Sequence, residues 1–287
     1  EGQLMADFNY AYIGYDNRAT DAASTISGTN VAAGFSVASL GNWQSFDFTQ
    51  FDDGSCSVVI DCGQAVEIDY FAIAGHTLFS TNADDIVFEA ANNSGFSLSV
   101  VTLVSLNLDS AGSVPAYSGI YGGVTLPSQQ VRGNPVSVFK FAPVARRYYR
   151  LRFTAATACK IGVIAFGERM QFQRGFYTGF NPPSLNEQVD VSNNRSETGQ
   201  YLGRSIVRSG AASGSIDLER VTRAWIDTVW TPFRRHADLY PFFLSWGLNP
   251  LVDATLAHQQ SWSPSRTIRR IGTTEFYSVG IKYEGVI

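Results

Sequence analysis

Charge is sparse in this 287-residue chain, at 16% of residues, and lysine is its scarcest form, three residues against eighteen arginines. With a formal net charge of −4 and a pI near 5.4, no whole-chain basic field is present to recruit nucleic acid. Long hydrophobic runs are missing as well. The longest, Pro241 to Trp246 with its neighbours, falls far short of the ~20 residues that a membrane span needs. No basic start followed by an apolar block suggests a secretory signal, so the expectation is a soluble protein made in a cytoplasm. Cysteine is limited to Cys56, Cys62 and Cys159, an odd count without metal-type spacing. Cys56 and Cys62 lie six apart on one apparent strand, ~20 Å, too far for a disulfide, and all three read as buried free thiols. The histidines His76, His236 and His258 are too few and too scattered for a zinc site or a catalytic triad. His236 with Asp238 is a lone His-x-Asp pair without further ligands, and reads as a structural or exposed histidine. No Gly-x-Ser-x-Gly, phosphate-binding glycine loop or His-Glu-x-x-His occurs. The adjacent pairs Asp52-Asp53 and Asp84-Asp85 point to opposite faces of a strand, which argues against a catalytic dyad. No enzyme activity, cofactor or metal is expected.

Hydrophobic content of 45% describes a compact chain, and its length suits two modest cores. Up to about residue 170, β-branched and aromatic runs are broken by Gly, Ser, Asn and Asp clusters. Strands are expected near 8–13, 57–61, 65–74, 85–91, 97–106, 136–141, 148–154 and 160–166, with a tight turn at Gly63-Gln64. Tyr149, Leu151 and Phe153 alternate with Tyr148, Arg150 and Arg152, so one face is buried and the other carries arginine. Segments 17–50 and 109–134 are too long for plain connections and are expected to be functional loops or docking surfaces. Beyond 167 the texture changes. A polar arm spans 186–203, and one amphipathic helix is expected over 215–230, with Asp217 as N-cap and Leu218, Val221, Trp225 and Val229 on its buried face. Strands follow near 241–246, 254–261 and 275–283. Four of the five tryptophans, Trp225, Trp230, Trp246 and Trp262, fall in this half and can anchor a second core. The fold class is therefore mainly β: a sandwich over 1–167 and a smaller α+β unit over 168–287.

Particular residues carry a family resemblance. Ile60-Asp61-Cys62-Gly63, the strand over 147–151 and the run from Ile161 to Gly167 together resemble the jelly-roll frame of discoidin-like (coagulation-factor C-type) domains, over roughly residues 5–168. That resemblance implies binding rather than catalysis. Further on, the Gly-Phe-x-x-Gly-Phe-x-Pro run from Gly175 to Pro182 looks like virion structural proteins of tailed bacteriophages. The segments Ser196 to Arg204 and His236 to Trp246 share that likeness. It implies a tail, baseplate or fibre-attachment part, made in the host cytoplasm and built into the virion, with other virion proteins and further copies of itself as partners. A glycan-binding adhesin for the host surface is the alternative, ahead of a head decoration protein or a polysaccharide-degrading enzyme.

The candidate residues follow from these readings. Loop 17–50 carries Phe35, Trp43, Phe46 and Phe48, and aromatics on a loop can stack on sugar rings, so Trp43 and Phe48 are the expected ligand contacts, with His76 orienting the following loop. Arg146, Arg147, Arg150 and Arg152 form the densest basic group. Arg150 and Arg152 are expected to meet carboxylates of a neighbouring subunit. Arg195, Glu197, Tyr201 and Arg204 on the polar arm are the remaining assembly candidates. The excess of arginine over lysine suits interfacial pairing, and equally a GC-rich genome.

Overall fold

The computed structural model describes residues 11–78, 83–107, 116–117, 136–175, 180, 188–209, 213–247, 253–271 and 274–285. The protein is mainly β. The strands up to residue 167 are β1 (Tyr12–Gly14), β2 (Thr25–Thr29), β3 (Thr49–Phe51), β4 (Gly54–Ala74), β5 (Asp84–Ala91), β6 (Val101–Asn107), β7 (Ala116–Tyr117), β8 (Val136–Ala155), β9 (Cys159–Ile161) and β10 (Val163–Gly167). After them come β11 (Arg169–Gln171), β12 (Gln188–Arg195), β13 (Tyr201–Ser209), β14 (Gly214–Thr222), β15 (Phe242–Ser245), β16 (Ala254–Ile271) and β17 (Thr274–Gly285).

A sheet ordered β10-β4-β8-β5-β6-β7, with β2 also on β4, forms the sandwich's main wall. Its inner face follows a period of two: Cys56, Val58 and Ile60 on β4 and Tyr149, Leu151 and Phe153 on β8 all enter one core. Phe71 and Phe88 stack there at 4.0 Å. The expected turn at Gly63-Gln64 is instead an interruption within one long strand. Asp61 pairs with Tyr148 and the next pair is Val66 with Arg146, so the excess residues bulge out. Gly63 takes φ 75° there, and its N–H donates to Asp61 Oδ1 at 2.8 Å. Arg147 closes the bulge from the other strand with two bonds to the Asp61 carboxylate, 2.7 and 2.8 Å. A second irregularity between Ile68 and Tyr70 shifts the phase. Beyond it Phe71 and Ile73 point into the sandwich, while Tyr70, Ala72 and Ala74 point out of its back.

That back is covered. A second sheet, ordered β11-β1-β15-β16-β17-β14, lays Tyr12, Phe243, Ala254 and Leu256 against Tyr70, Ala72, Ala74, Val136 and Val138. Small alanines on the sandwich side let the layers approach, and at Gly14 an added Cβ would run into the Tyr70 ring. The first strand, expected within the sandwich, belongs to this second sheet. β1 pairs with β15 on one side and β11 on the other, Tyr12 opposite Gln171 and Gly14 opposite Arg169. The chain between β1 and β11, which is the sandwich, is thus inserted between two neighbouring strands of the other sheet.

The helix also begins later than expected. Residues 214–222 are strand β14, because Ile216 and Leu218 are buried while Ser215 and Asp217 are exposed, an alternation of two. Thr222 rather than Asp217 caps the helix, accepting from the Trp225 N–H at 3.4 Å. It runs through Arg223–Trp225, a π-helical turn Ile226–Trp230 and Thr231–Ala237, with Pro232 entering at the start of the last part. Trp230 and Phe233 pack it on the outer face of the second sheet with Ile216, Phe242 and Ile281. The polar arm is the antiparallel ribbon β12-β13, a sheet of its own.

Candidate functional site

The end of the sandwich where Gly54 meets Ala155 is built from the connection between β2 and β3 and from β9. This connection is pinned at many points. Leu40 is buried in the sandwich core, Ser36 caps the turn Val37–Gly41, and Thr49 Oγ1 donates to the Ser36 carbonyl at 2.8 Å. Asn30 Nδ2 donates to the Asp53 carbonyl at 2.6 Å, and Asn42 Nδ2 to the Asp47 carboxylate at 2.6 Å. On this rigid loop Phe35 is 38% and Phe46 77% exposed. Phe35 stacks on Phe48 at 5.6 Å with 27° between the rings, and Lys160 Nζ lies 4.2 Å from the Phe48 centroid. The ring faces are electron-rich and suited to the polarised C–H bonds of a sugar or to a cation.

Two of the three ligand residues expected from the sequence are withdrawn from solvent. Trp43 is 8% exposed, at φ 63°, with its ring 5.8 Å from both His236 and Phe243 in the core between the layers. It holds the loop to the second sheet and presents no face to a ligand. His76 is buried, its Nε2 3.3 Å from Ser137 Oγ, and burial pushes its pKa down to about 3, so it is neutral. Phe48 is half-buried and supports Phe35. The residues that replace Trp43 at the surface, Phe35 and Phe46, sit in the same aromatic loop. The ammonium of Lys160 had no sequence signal, because β9 brings it there from far along the chain.

Where a neighbour's carboxylates were expected for Arg150 and Arg152, the structure shows partners for them within the chain. Arg150 Nε donates to Glu89 Oε1 at 2.6 Å, its guanidinium lies 4.1 Å over the Phe96 ring, and Arg152 Nε is 3.4 Å from the same Glu89 oxygen. Glu89 is buried on β5, so this group is an internal clamp on the sheet. Arg146 bonds to the carbonyls of Ser99 and Ala145. On the arm, Arg195 pairs in register with Tyr201, Asn193 with Arg204, and Glu197 is exposed in the turn. The side chains of Arg195 and Arg204 lie outside the described residues. Tyr201 is 62% and Leu202 67% exposed.

His236 and Asp238 do not converge on a site. His236 sits among Tyr15, Trp43 and Tyr240, with Nε2 3.2 Å from the Pro241 carbonyl, and burial lowers its pKa. Asp238 accepts from the Trp262 indole at 2.7 Å. Among the described residues no group of three or more His, Cys, Asp or Glu could hold a metal ion. The three cysteines are free and buried, as expected, and burial raises the thiols of Cys62 and Cys159 to about 11 and about 12.

No protein-family model matches the chain, and no curated protein matches it. Among solved structures it is similar to a Ruminococcus gnavus GH29 fucosidase in complex with fucose, at 12% identity and a TM-score of 0.39 over 55% of this chain and 27% of that one. It spans about a quarter of that enzyme's length. A chitosan-binding module of a chitosanase/glucanase from Paenibacillus sp. is similar at 12% identity and a TM-score of 0.35, over 53% of this chain and 98% of the module. A pectin-binding carbohydrate-binding module is similar at 14% identity and a TM-score of 0.35, over 50% and 88%.

Proposed function

We propose that the chain is a non-catalytic binding protein whose sandwich presents the Phe35, Phe46 and Phe48 loop to a carbohydrate. The observation that carries this reading is the stacked Phe35–Phe48 pair with the Lys160 ammonium beside it, on a braced loop that also exposes Phe46. Flat apolar faces next to a cation suit a polyhydroxylated ring, which offers C–H patches and hydroxyls together. The test is a glycan array, including bacterial surface polysaccharides, probed with the wild type and with Phe46→Ala and Phe35→Ala. Binding that each substitution weakens at least about tenfold, a loss of about 1.4 kcal/mol, is the expected outcome. Silence across the array, or binding indifferent to both changes, would sink the reading.

A second reading, a structural subunit of an assembled particle such as a phage tail or baseplate, is favoured by one feature, the ribbon β12-β13, which among the described residues joins no other sheet. Negative-stain imaging of particles carrying a labelled copy would decide it, and particles that never incorporate the chain would count against it.

A further inference from the structure

The ribbon and the edge of the second sheet carry an inference that does not depend on carbohydrate binding. Strands β12 and β13 pair with each other from Gln188 opposite Ser209 to Arg195 opposite Tyr201, and among the described residues neither joins another sheet. A two-stranded ribbon alone is marginal in water. Its turn is tightly made, Ser196 N–H to the Gln200 carbonyl at 2.9 Å and Gly199 N–H to the Ser196 carbonyl at 2.9 Å, so it is a formed element rather than a loose loop. Tyr201 and Leu202, adjacent on one strand and hence on opposite faces, are both exposed.

The six-stranded sheet meanwhile ends at β14, which is hydrogen-bonded on its β17 side only among the described residues. Part of this edge is closed: Gln173 accepts from the Thr222 N–H at 2.9 Å, and Arg174 donates to the Arg220 carbonyl at 3.1 Å. Among the described residues, 214–219 has no strand on this side. An open edge is a template for another strand. Either ribbon strand is long enough to cover 214–219, since β12 has 8 residues and β13 has 9. The charges agree too. The open edge carries Asp217 and Glu219, whereas the ribbon strands carry Arg195, Arg204 and Arg208 against Asp190. Although only 210–213 separate β13 from β14, the two are not paired within the chain.

We infer that the β12-β13 ribbon of one copy adds to the open 214–219 edge of β14 in a second copy. Donor and acceptor are different surfaces, so the contact either closes by reciprocal exchange between two copies or repeats head-to-tail into a ring or a filament. Sedimentation velocity of the full chain from about 1 to 100 µM should show reversible oligomers. A variant in which 188–209 is replaced by a short Gly-Ser linker retains the edge but has nothing to donate. It should be monomeric alone and, carrying a dye, should cosediment with wild-type chains. If that variant fails to fold by circular dichroism, Tyr201→Asp with Leu202→Asp takes its place, with self-association at least about tenfold weaker and acceptance retained. A wild type that remains monomeric throughout overturns the inference. So does a dye-labelled variant excluded from wild-type oligomers, because ribbon would then be pairing with ribbon.

Discussion

Replacing Trp43 by alanine separates the two roles that an aromatic on the β2 to β3 loop can have. The ring is almost wholly buried between His236 and Phe243, so the change empties a volume shared by the sandwich and the second sheet. A buried tryptophan covers ~150–250 Å², which at ~25 cal/mol per Å² sets a ceiling of ~4–6 kcal/mol. Truncations of this kind cost ~3–5 kcal/mol. The expected loss is therefore about 4 kcal/mol by urea denaturation followed by circular dichroism. The backbone adds a finer signature. At φ 63° alanine is strained by ~1 kcal/mol where glycine is not, so Trp43→Gly should be about 1 kcal/mol more stable than Trp43→Ala. Phe46→Ala, with its ring in solvent, should change stability by less than ~0.5 kcal/mol. A Trp43→Ala protein of near wild-type stability, or one in which alanine is favoured over glycine, would refute the placement of this ring.

The clamp on β5 makes a second prediction. Arg150→Met leaves the buried Glu89 carboxylate with only Arg152 and should cost about 2–3 kcal/mol, whereas Arg150→Met with Glu89→Met should recover at least half of it; additive losses in the double-mutant cycle would exclude coupling. Asp69 gives a pH dependence. Its side chain is 17% exposed, and burial outweighs the attraction of Arg169, which raises the carboxyl from 3.8 to about 6. The contribution of this group to stability is then whole below about pH 4 and is lost as pH rises through 6, by at most about 3 kcal/mol. Asp69→Asn, which keeps an acceptor for the Arg169 N–H, should flatten stability between pH 4 and 6; an unchanged slope would exclude Asp69 as its source.

Local rules made the sandwich strands legible. The alternation Tyr149, Leu151, Phe153 against Arg150, Arg152 reads directly as one buried and one outward face, and the structure has it so. The helix start was obscured because Ile216 and Leu218 suit a period of two while Leu218, Val221, Trp225 and Val229 suit a period near 3.6, so strand and helix patterns overlap at the join. Gly63 reads as a turn because glycine serves both turns and bulges, and only the partner strand with Arg147 distinguishes them. Which ring of an aromatic loop turns inward was not readable at all. That is decided by Phe243 and His236, from the far half of the chain. Glu89 likewise reaches Arg150 across 61 positions, so no local pattern announces the pair.

The position of the sandwich between β1 and β11 has a consequence for how the chain is made. Residues 12–14 leave the ribosome roughly 230 residues ahead of their partners in β15. At ~5–20 residues per second the first strand waits ten seconds or more. Closing a flexible loop of roughly 150 residues would cost about 4 kcal/mol in chain entropy. A folded sandwich removes that cost beforehand, since it delivers β1 and β11 side by side as if joined by a short turn. A module with the aromatic loop that folds first would thereby serve as the folding template for the sheet that carries it.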